Sequence, residues 1–366
     1  LWEPELHMDP NDNMEQAIVR YMELAYPVIH EADPKAVVMG VCLAELRPRT
    51  LILAEKLFSE GLGKYIDVFS IHPYFKRPPE VNGFINHVKE LKQIIRKGSG
   101  RDIPIVGTEM GIDCSGQQPE DERLAAVSQT RQDLIALGEG FKFNTAFYFC
   151  DHVATPQSNY GFFFNLDPKH NIYRPRKISP KMQALLYAAM SYLLEGHKSA
   201  GSIDWLGGTT IGYAYENADD VTLAIWDFRK ESRAVSIPVG KDKVKVYDCQ
   251  GNLSEMLTKD GMLTIEASGY PVYIQGVERS LWSSKAFKAL KLQGKDDVCI
   301  FPGSGEKILL EVRAPKDKPI AGVIECDSGK MLEVEPSNIP VNVPAGTVKK
   351  LTFKVKPTPV TPIGTY

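Results

Sequence analysis

The chain has 366 residues, a net charge of −3 and 43% hydrophobic residues, which is enough for two or three domains with full cores. No basic stripe is present, which argues against a nucleic acid partner. No window reaches the ~18 unbroken apolar residues that a membrane span needs. Six scattered cysteines form no CxxC pair, which argues against a zinc ribbon or a dithiol redox motif. We expect them to be small buried hydrophobic residues, and one disulfide remains open.

From about residue 13 to residue 194, the sequence pattern alternates between amphipathic helices and short apolar strands. The predicted helices cover residues 14–32, 50–60, 81–97, 120–138 and 179–194, and the predicted strands cover 36–41, 66–72, 103–108 and 146–150. Asn11 or Asp12 is the expected cap of the first helix, and Gly61 and Gly98 are expected to end the second and third. This order predicts a parallel sheet covered by helices.

A (β/α)8 barrel fits this order, but eight strands need roughly 250 residues. If the first three residues are the end of strand four, strands five to eight follow in order. We therefore expect residues 1–196 to be the C-terminal half of a catalytic TIM barrel. The upstream half of the same barrel is expected to precede Leu1.

After Gly196 the pattern changes to strand-like runs separated by turn signals. Residues 197–278 are predicted to form an antiparallel β-sandwich. Residues 279–366 repeat the β pattern and predict a second β domain. This domain is expected to be truncated at Tyr366. The predicted fold class is therefore α/β plus all-β.

Polar and aromatic side chains cluster at the predicted C-terminal ends of the strands, where barrel enzymes place their active sites. These residues are Glu3, Glu45, His72, Tyr74, Glu109, Asp151 and His152. Glu109 follows a fully apolar run, and Glu3 stands between Trp2 and Pro4. Two carboxyl groups at such positions point to glycoside cleavage, in which one donates a proton and the other attacks carbon.

Each of these residues also has a purely structural interpretation. Glu3 could be a frayed terminal residue, and His72 could be a hydrogen-bonded core histidine. Tyr148 and Phe149 point to opposite faces of a strand, so one of them could stack on a sugar while the other packs in the core. Asp151 could bind hydroxyl groups or could be an ordinary polar loop residue.

The motifs resemble those of clan A glycoside hydrolases, closest in type to β-xylosidases and α-iduronidases. Trp2-Glu3-Pro4-Glu5 looks like the strand-four motif of that clan, usually Asn-Glu-Pro. Residues 67–74 resemble strand six, 104–111 resemble strand seven, and 160–167 resemble the stretch before the last helix. The resemblance covers roughly residues 1–195. The final segment is similar to the immunoglobulin-like modules that are often appended to bacterial glycosidases.

The resemblance implies a retaining double displacement with Glu3 as acid/base and Glu109 as nucleophile. Trp2, His72, Tyr74, Tyr148 and Asp151 would bind the carbohydrate substrate, and neither a metal nor an organic cofactor would be required. An extracellular or periplasmic location is expected.

One residue departs from the pattern, because Trp2 stands where the clan usually has the asparagine that binds the sugar 2-hydroxyl. A catalytically impaired carbohydrate-binding or scaffold protein is therefore the alternative, and an inverting enzyme is a second one. The sugar and the choice between endo and exo action stay open.

Overall fold

The computed structural model of the protein describes residues 2–8, 13–114, 119–151, 159–164, 179–203, 206, 209–229, 232–282, 292–293, 306–314, 316–317, 319–325 and 332–357. The helices are α1 Pro4–His7, α2 Met14–Ala32, α3 Pro48–Ser59, α4 Phe84–Ser99, α5 Pro119–Gly138, α6 Met182–Leu193 and α7 Arg279–Trp282. The first nine strands are β1 Met39–Glu45, β2 Val68–Tyr74, β3 Ile105–Met110, β4 Asn144–Ala146, β5 Lys198–Ser202, β6 Thr210–Glu216, β7 Val221–Asp227, β8 Arg233–Pro238 and β9 Lys243–Tyr247. The others are β10 Leu253–Leu257, β11 Met262–Ala267, β12 Val272–Gln275, β13 Leu292–Gln293, β14 Glu306–Arg313, β15 Ile320–Glu325, β16 Leu332–Glu335, β17 Asn338–Val343 and β18 Val348–Pro357.

The first four strands form a parallel sheet in the order β1-β2-β3-β4, with helices between successive strands. Trp2 extends this sheet by a parallel bridge to Cys42 of β1. The predicted alternation of helices and parallel strands is confirmed. Because all four strands run the same way, their C-terminal ends lie at one edge of the sheet and their N-terminal ends at the other.

The predicted strand bounds are displaced. β1, β2 and β3 begin two or three residues later than predicted, and β4 begins two residues earlier. Ile66 and Ile103 caused part of this error, because both are buried although they lie in the connections that precede β2 and β3. An apolar run therefore marked burial correctly but not the start of strand pairing.

Helix ends also differ from the predictions. Asn13, rather than Asn11 or Asp12, occupies the N-cap position of α2 and makes no capping hydrogen bond with its side chain. Gly98 lies inside α4, and the left-handed stop is Gly100 with φ 69°. A Cβ on Gly98 would lie 2.5 Å from Cβ of Phe58, so this glycine allows close packing of α4 against α3.

Beyond residue 197 the described strands are antiparallel, as predicted. Six strands form a sheet in the order β10-β9-β12-β7-β6-β5, and β11 pairs with β8. One buried cluster joins the two sheets, including Ile225 of β7, Ile237 of β8 and Leu263 of β11. Strands β5 and β10 carry only weak sequence signals, since β5 is small and polar and β10 is largely exposed.

The last described strands form two further antiparallel sheets, β13-β14-β18-β16 and β15-β17. Val312, Val343 and Phe353 belong to the separate buried core of this segment.

None of the helices that the structure describes combines the length and the hydropathy that crossing a bilayer requires.

Among the described cysteines, Cys42, Cys114, Cys150 and Cys249 are free.

A buried polar cluster joins the helical part of the chain to the six-stranded sheet. Arg131 of α5 forms an ion pair with Glu80 at 3.1 Å, and the Trp226 indole of β7 donates to the same carboxylate oxygen at 2.8 Å. Arg131 also donates to the carbonyl of Gly269 at 3.3 Å. Burial raises the pKa of Glu80 and lowers that of Arg131, with the opposite charge of each partner acting against the burial effect.

We expect Arg131→Met to lower the free energy of unfolding by about 3–5 kcal/mol, because it leaves the Glu80 carboxylate buried without its cation. Arg96→Met is the matched control, since Arg96 pairs with Asp102 on the exposed surface and its loss should cost less than about 1 kcal/mol. Urea unfolding followed by circular dichroism and tryptophan fluorescence measures both changes. Equal shifts of the urea midpoint in the two variants would contradict a stabilising role of the buried pair.

Candidate active site

Glu3 is held at the edge of the parallel sheet, next to β1. Its backbone N–H donates to the Cys42 carbonyl at 2.7 Å, and its φ of 44° places it in the left-handed region before α1. Pro4 follows at the first position of that helix. The side chain points inward, and Glu3 is only 8% exposed. The structure therefore does not support the interpretation of Glu3 as a frayed terminal residue.

Glu109 lies within β3, and a different donor binds each of its carboxylate oxygens. The Trp2 indole N–H donates to Oε1 at 3.2 Å, and the Tyr74 hydroxyl donates to Oε2 at 3.0 Å. The pairing of β3 with β4 is irregular between Gly107 and Met110, and such irregularities re-aim side chains near functional sites. Two donors at fixed positions orient the carboxylate.

His72 of β2 lies between the two glutamates. Its Nδ1 atom is 2.8 Å from Glu3 Oε1 and 3.5 Å from Glu109 Oε2. The imidazole is buried. Burial alone would lower the pKa of His72, but contact with Cys42, the hydrogen bond with Glu3 and the charge of Glu109 raise it from 6.5 to about 9. At neutral pH a cation therefore lies between the two carboxyl groups.

A small polar network near this cluster was missed by the sequence analysis. The Ser70 hydroxyl lies 2.7 Å from that of Thr108, and the Cys42 thiol lies 3.2 Å from the same Thr108 oxygen. The two-residue period of β2 could have indicated that Ser70 lies near the site. Ser70, His72 and Tyr74 occupy alternate positions of this strand and so share a face.

Aromatic rings form one wall of the site. Tyr160 lies 5.7 Å from Tyr74 and 6.2 Å from Phe147 between ring centroids, and Phe147 packs edge-on against Tyr148 at 4.4 Å. Burial raises the pKa of Tyr74 strongly, and the Glu109 carboxylate adds to the effect, so its hydroxyl stays protonated as a donor. Phe149, the neighbour of Tyr148, is 71% exposed. Tyr160 was not among the predicted site residues.

Asp151 is buried, and its carboxyl group accepts hydrogen bonds from other residues of the protein. The Lys181 ammonium donates to Asp151 Oδ1 at 2.6 Å, and the Gly161 N–H donates to the same oxygen at 3.0 Å. Burial raises the pKa of Asp151, and the adjacent Lys181 charge works against that rise. Direct binding of a substrate by Asp151 stays a prediction, and this geometry favours a positioning role.

Other residues at the strand ends have defined surroundings. Glu45 ends β1 and forms ion pairs with Arg47, at 2.7 Å, and with Arg49. Burial raises the pKa of the Cys114 thiol to about 11, which disfavours the thiolate that a nucleophile needs. His152 lies outside the described residues.

The same three side chains, Glu3, His72 and Glu109, also satisfy the geometry of a cation site. Their nearest ligand atoms all lie within 4.8 Å of one another. An imidazole and two carboxylates are ligands that divalent transition metals accept. The cluster can therefore act in acid–base and nucleophilic chemistry or can hold one ion.

Comparison with known proteins shows similarity in structure only. No model of a protein family matches the chain, and no curated protein matches it either. A family 39 glycoside hydrolase from the gut symbiont Bacteroides cellulosilyticus aligns with a TM-score of 0.52 and 18% identity, over 71% of this chain and 55% of that one. A family 30 endoxylanase from Clostridium papyrosolvens aligns with a TM-score of 0.51 and 11% identity, over 76% of this chain and 64% of that one.

A third similar structure extends over nearly the whole chain. A family 86 β-porphyranase from the human gut bacterium Bacteroides plebeius aligns with a TM-score of 0.52 and 14% identity, over 98% of this chain and 72% of that one. The chain thus spans 55% to 64% of the length of the first two structures. The predicted resemblance to glycoside hydrolases is confirmed at the level of the fold.

The raised pKa of His72 predicts a pH dependence of stability. Because the pKa in the folded state lies above the ordinary value, this contribution is fully present below pH 6.5 and disappears as the pH rises towards about 9. The loss amounts to at most about 3 kcal/mol.

Urea unfolding of the wild type and of His72→Gln, repeated across this pH range, measures the contribution. The wild type should lose stability with rising pH more steeply than the variant. NMR titration of the His72 ring gives the pKa directly, and a midpoint near 6.5 would contradict the predicted charge.

Proposed function

We propose that the protein is a retaining glycoside hydrolase that cleaves a poly- or oligosaccharide by double displacement, with Glu109 as nucleophile and Glu3 as acid/base. We further propose that the four parallel strands and their helices are the C-terminal half of a (β/α)8 barrel, followed by two β-sandwich domains. One observation carries the proposal: two glutamates 106 positions apart meet at the C-terminal edge of a parallel sheet, joined by one histidine.

The separation of the two carboxyl groups favours retention over inversion. Retaining enzymes place them ~5–5.5 Å apart, whereas inverting enzymes leave ~6.5–9.5 Å for a water molecule. Here the nearest ligand atoms of Glu3 and Glu109 lie within 4.8 Å. The close approach of one oxygen of each group is compatible with the shorter separation of retaining enzymes and with direct attack by a carboxylate on the anomeric carbon.

The surroundings of each carboxyl group fit its proposed role. Trp2 and Tyr74 hold Glu109 by one hydrogen bond on each oxygen, which aims the carboxylate for attack. His72 binds Glu3 through one oxygen and fixes its orientation for proton transfer. In the first step, Glu3 protonates the leaving oxygen while Glu109 bonds to the anomeric carbon. In the second, Glu3 removes a proton from the water that releases the sugar.

Similarity over the whole length guides the choice of substrate. The family 86 structures align over 98% and 97% of this chain, and one of them is described in complex with neoagarooctaose. The family 39 and family 30 structures align over 71% and 76%. We therefore propose a polysaccharide substrate, with porphyran and agarose oligosaccharides tested before xylan. An extracellular or periplasmic location suits such a substrate, because polymers do not cross membranes freely.

Removal of the nucleophile should abolish turnover and permit chemical rescue. On an activated aryl glycoside, Glu109→Ala should lower kcat by at least about a thousandfold. Azide fits the space left by the carboxylate and should give a glycosyl azide of inverted anomeric configuration. With Glu3→Ala, azide should instead attack the glycosyl-enzyme and give the retained configuration. The exposed Glu55→Ala is the matched control and should keep wild-type activity.

The outcomes separate the proposal from its alternatives. A wild-type product of inverted configuration, observed by NMR before mutarotation, would exclude the retaining mechanism. Loss of turnover on treatment with a chelator, restored by a divalent ion, would favour the cation site formed by the same three side chains. An absence of turnover on every aryl glycoside and polymer, together with polysaccharide binding, would favour the impaired carbohydrate-binding protein.

Trp2 should support turnover through the hydrogen bond that its indole N–H donates to Glu109, and not only through contacts of its ring. Trp2→Phe keeps an aromatic ring but removes the donor to Glu109, and a hydrogen bond to a charged group contributes about 1.5–3 kcal/mol. We expect kcat to fall roughly tenfold to a hundredfold, with a smaller change in KM. Tyr192→Phe, on the exposed face of α6, is the control. An unchanged kcat in Trp2→Phe would show that Glu109 does not need this donor.

A further inference from the structure

The helices at the two ends of the parallel layer have a different outer surface from the helices between them. Helix α2 precedes β1 at one end of the four-stranded sheet, and α6 follows β4 at the other end. Helix α4, in the middle of the layer, exposes only polar side chains, such as Lys89, Gln93 and Arg96. Helix α3 exposes one large apolar side chain, Ile52. The outer faces of these middle helices are thus suited to water.

Helix α2 is apolar on two sides. One side packs into the core through buried residues that include Ile18 and Met22. On another side, Tyr21, Leu24 and Val28 are 57%, 56% and 63% exposed, and we call these three residues the α2 stripe. Their spacing of three and four residues places them on one side of the helix. Apolar residues on more than one side are typical of a helix that is buried between two layers.

Helix α6 has a similar stripe at the other end of the layer. Leu185 and Tyr192 are 49% and 79% exposed, and Ala188 between them is also exposed. The spacing of these three residues, the α6 stripe, is again three and four positions. A different side of α6 is buried and includes Leu186 and Met190. Contiguous apolar surface on a water-soluble domain marks a contact with another polypeptide segment.

The strands of the layer follow the same pattern. The middle strands β2 and β3 have no exposed residue. At one end of the layer, Met39 of β1 and the preceding Val37 are exposed. At the other end, Phe143 before β4 and Phe149 after it are exposed. Apolar exposure is thus concentrated at both ends of the layer, although parallel sheets are normally covered.

Strand pairing is incomplete at the same two ends. Within the described residues, the outer side of β1 pairs only at the bridge between Trp2 and Cys42, and no strand pairs with the outer side of β4. A barrel removes both edges at once, because its last strand pairs with its first. One curved segment that pairs with β1 and with β4 would therefore cover both open edges and both apolar stripes.

We propose that the α2 stripe and the α6 stripe are the two contact surfaces for one further segment, made of the parallel strands and helices that complete the barrel and precede Trp2 in the same polypeptide. This inference rests on the barrel proposed above and names the surfaces that its other half covers. The helices of that segment pack their own apolar sides against α2 at one end and against α6 at the other.

The position of Trp2 favours this segment over a second copy of the chain. Trp2 already lies beside β1, in parallel pairing with Cys42. A parallel strand that ends at Trp2 runs back along β1 towards Met39, so its residues come before Trp2 in the sequence. The fold comparison leaves room for such a segment, because the family 39 and family 30 structures are matched over 55% and 64% of their own length.

Hydroxyl-radical footprinting with mass spectrometry tests the coverage, because it measures the exposure of individual side chains. Two forms are compared, namely the 366-residue chain and a longer form that also carries the polypeptide encoded before Leu1 in the same gene. In the 366-residue chain, Tyr21 and Tyr192 should be oxidised readily. In the longer form, their oxidation should fall to the level of the buried Tyr273. The exposed Tyr270, between β11 and β12, is the control and should be oxidised equally in both forms.

Lysine substitutions test the same surfaces through stability. Leu24→Lys and Tyr192→Lys each place an ammonium group on one stripe. Both should leave the thermal midpoint of the 366-residue chain unchanged, because these positions are exposed there. Both should lower the midpoint of the longer form by several degrees, because burial of an unpaired charge is costly. Gln93→Lys, on the polar face of α4, is the matched control and should change neither form.

Protection of both stripes in the longer form, with lysine variants that destabilise only that form, would support the inference. Equal oxidation of Tyr21 and Tyr192 in the two forms, or an upstream sequence without alternating strand and helix patterns, would overturn it. Protection of the stripes in the 366-residue chain itself, at concentrations where sedimentation shows a dimer, would assign them to a second copy and overturn it as well. Failure of the hydrolase proposal would show differently, as absent turnover with both stripes still protected.

Discussion

The arrangement of the candidate site depends on the buried imidazole of His72. When both carboxyl groups are ionised, their oxygens within 4.8 Å of each other cause a repulsion of about 3.5 kcal/mol at an effective dielectric constant of about 20. A cation between them offsets this repulsion, and the pKa of His72, raised to about 9, keeps it charged at neutral pH. The position of β2 between β1 and β3 places the histidine there, because Glu3 is attached beside β1 and Glu109 belongs to β3.

The order of elements was predictable because its signals are local. Apolar periodicity identified α2 with both of its ends, and the rule for parallel strands placed Glu3, His72, Tyr74 and Glu109 at one edge. The sequence could not show which atoms meet at that edge. The bond from the Trp2 indole to Glu109 is an example, since Trp2 was considered only as a departure from an asparagine motif.

Several of the errors share a cause, because they depend on contacts between residues far apart in the chain. Gly98 resembled a helix stop, but its position is set by Phe58, forty residues earlier. Glu80 and Trp226 show no motif, yet they form the buried junction between the helical part and the six-stranded sheet. Short apolar runs also included buried connections such as Ile66, which shifted the predicted strand ends.

Asp151 lies beside the candidate site and helps to fix the structure around it. Its ion pair with Lys181 is almost fully buried, and such a pair is tolerated only when further hydrogen bonds satisfy both groups. Gly161 and the Asn159 carbonyl supply them, and a Cβ on Gly161 would lie 2.2 Å from the Asp151 backbone nitrogen. The segment that carries Tyr160 is thereby fixed against Tyr74, the donor to Glu109. The buried ion pair thus positions the aromatic wall, and through Tyr74 it bears on the orientation of the proposed nucleophile.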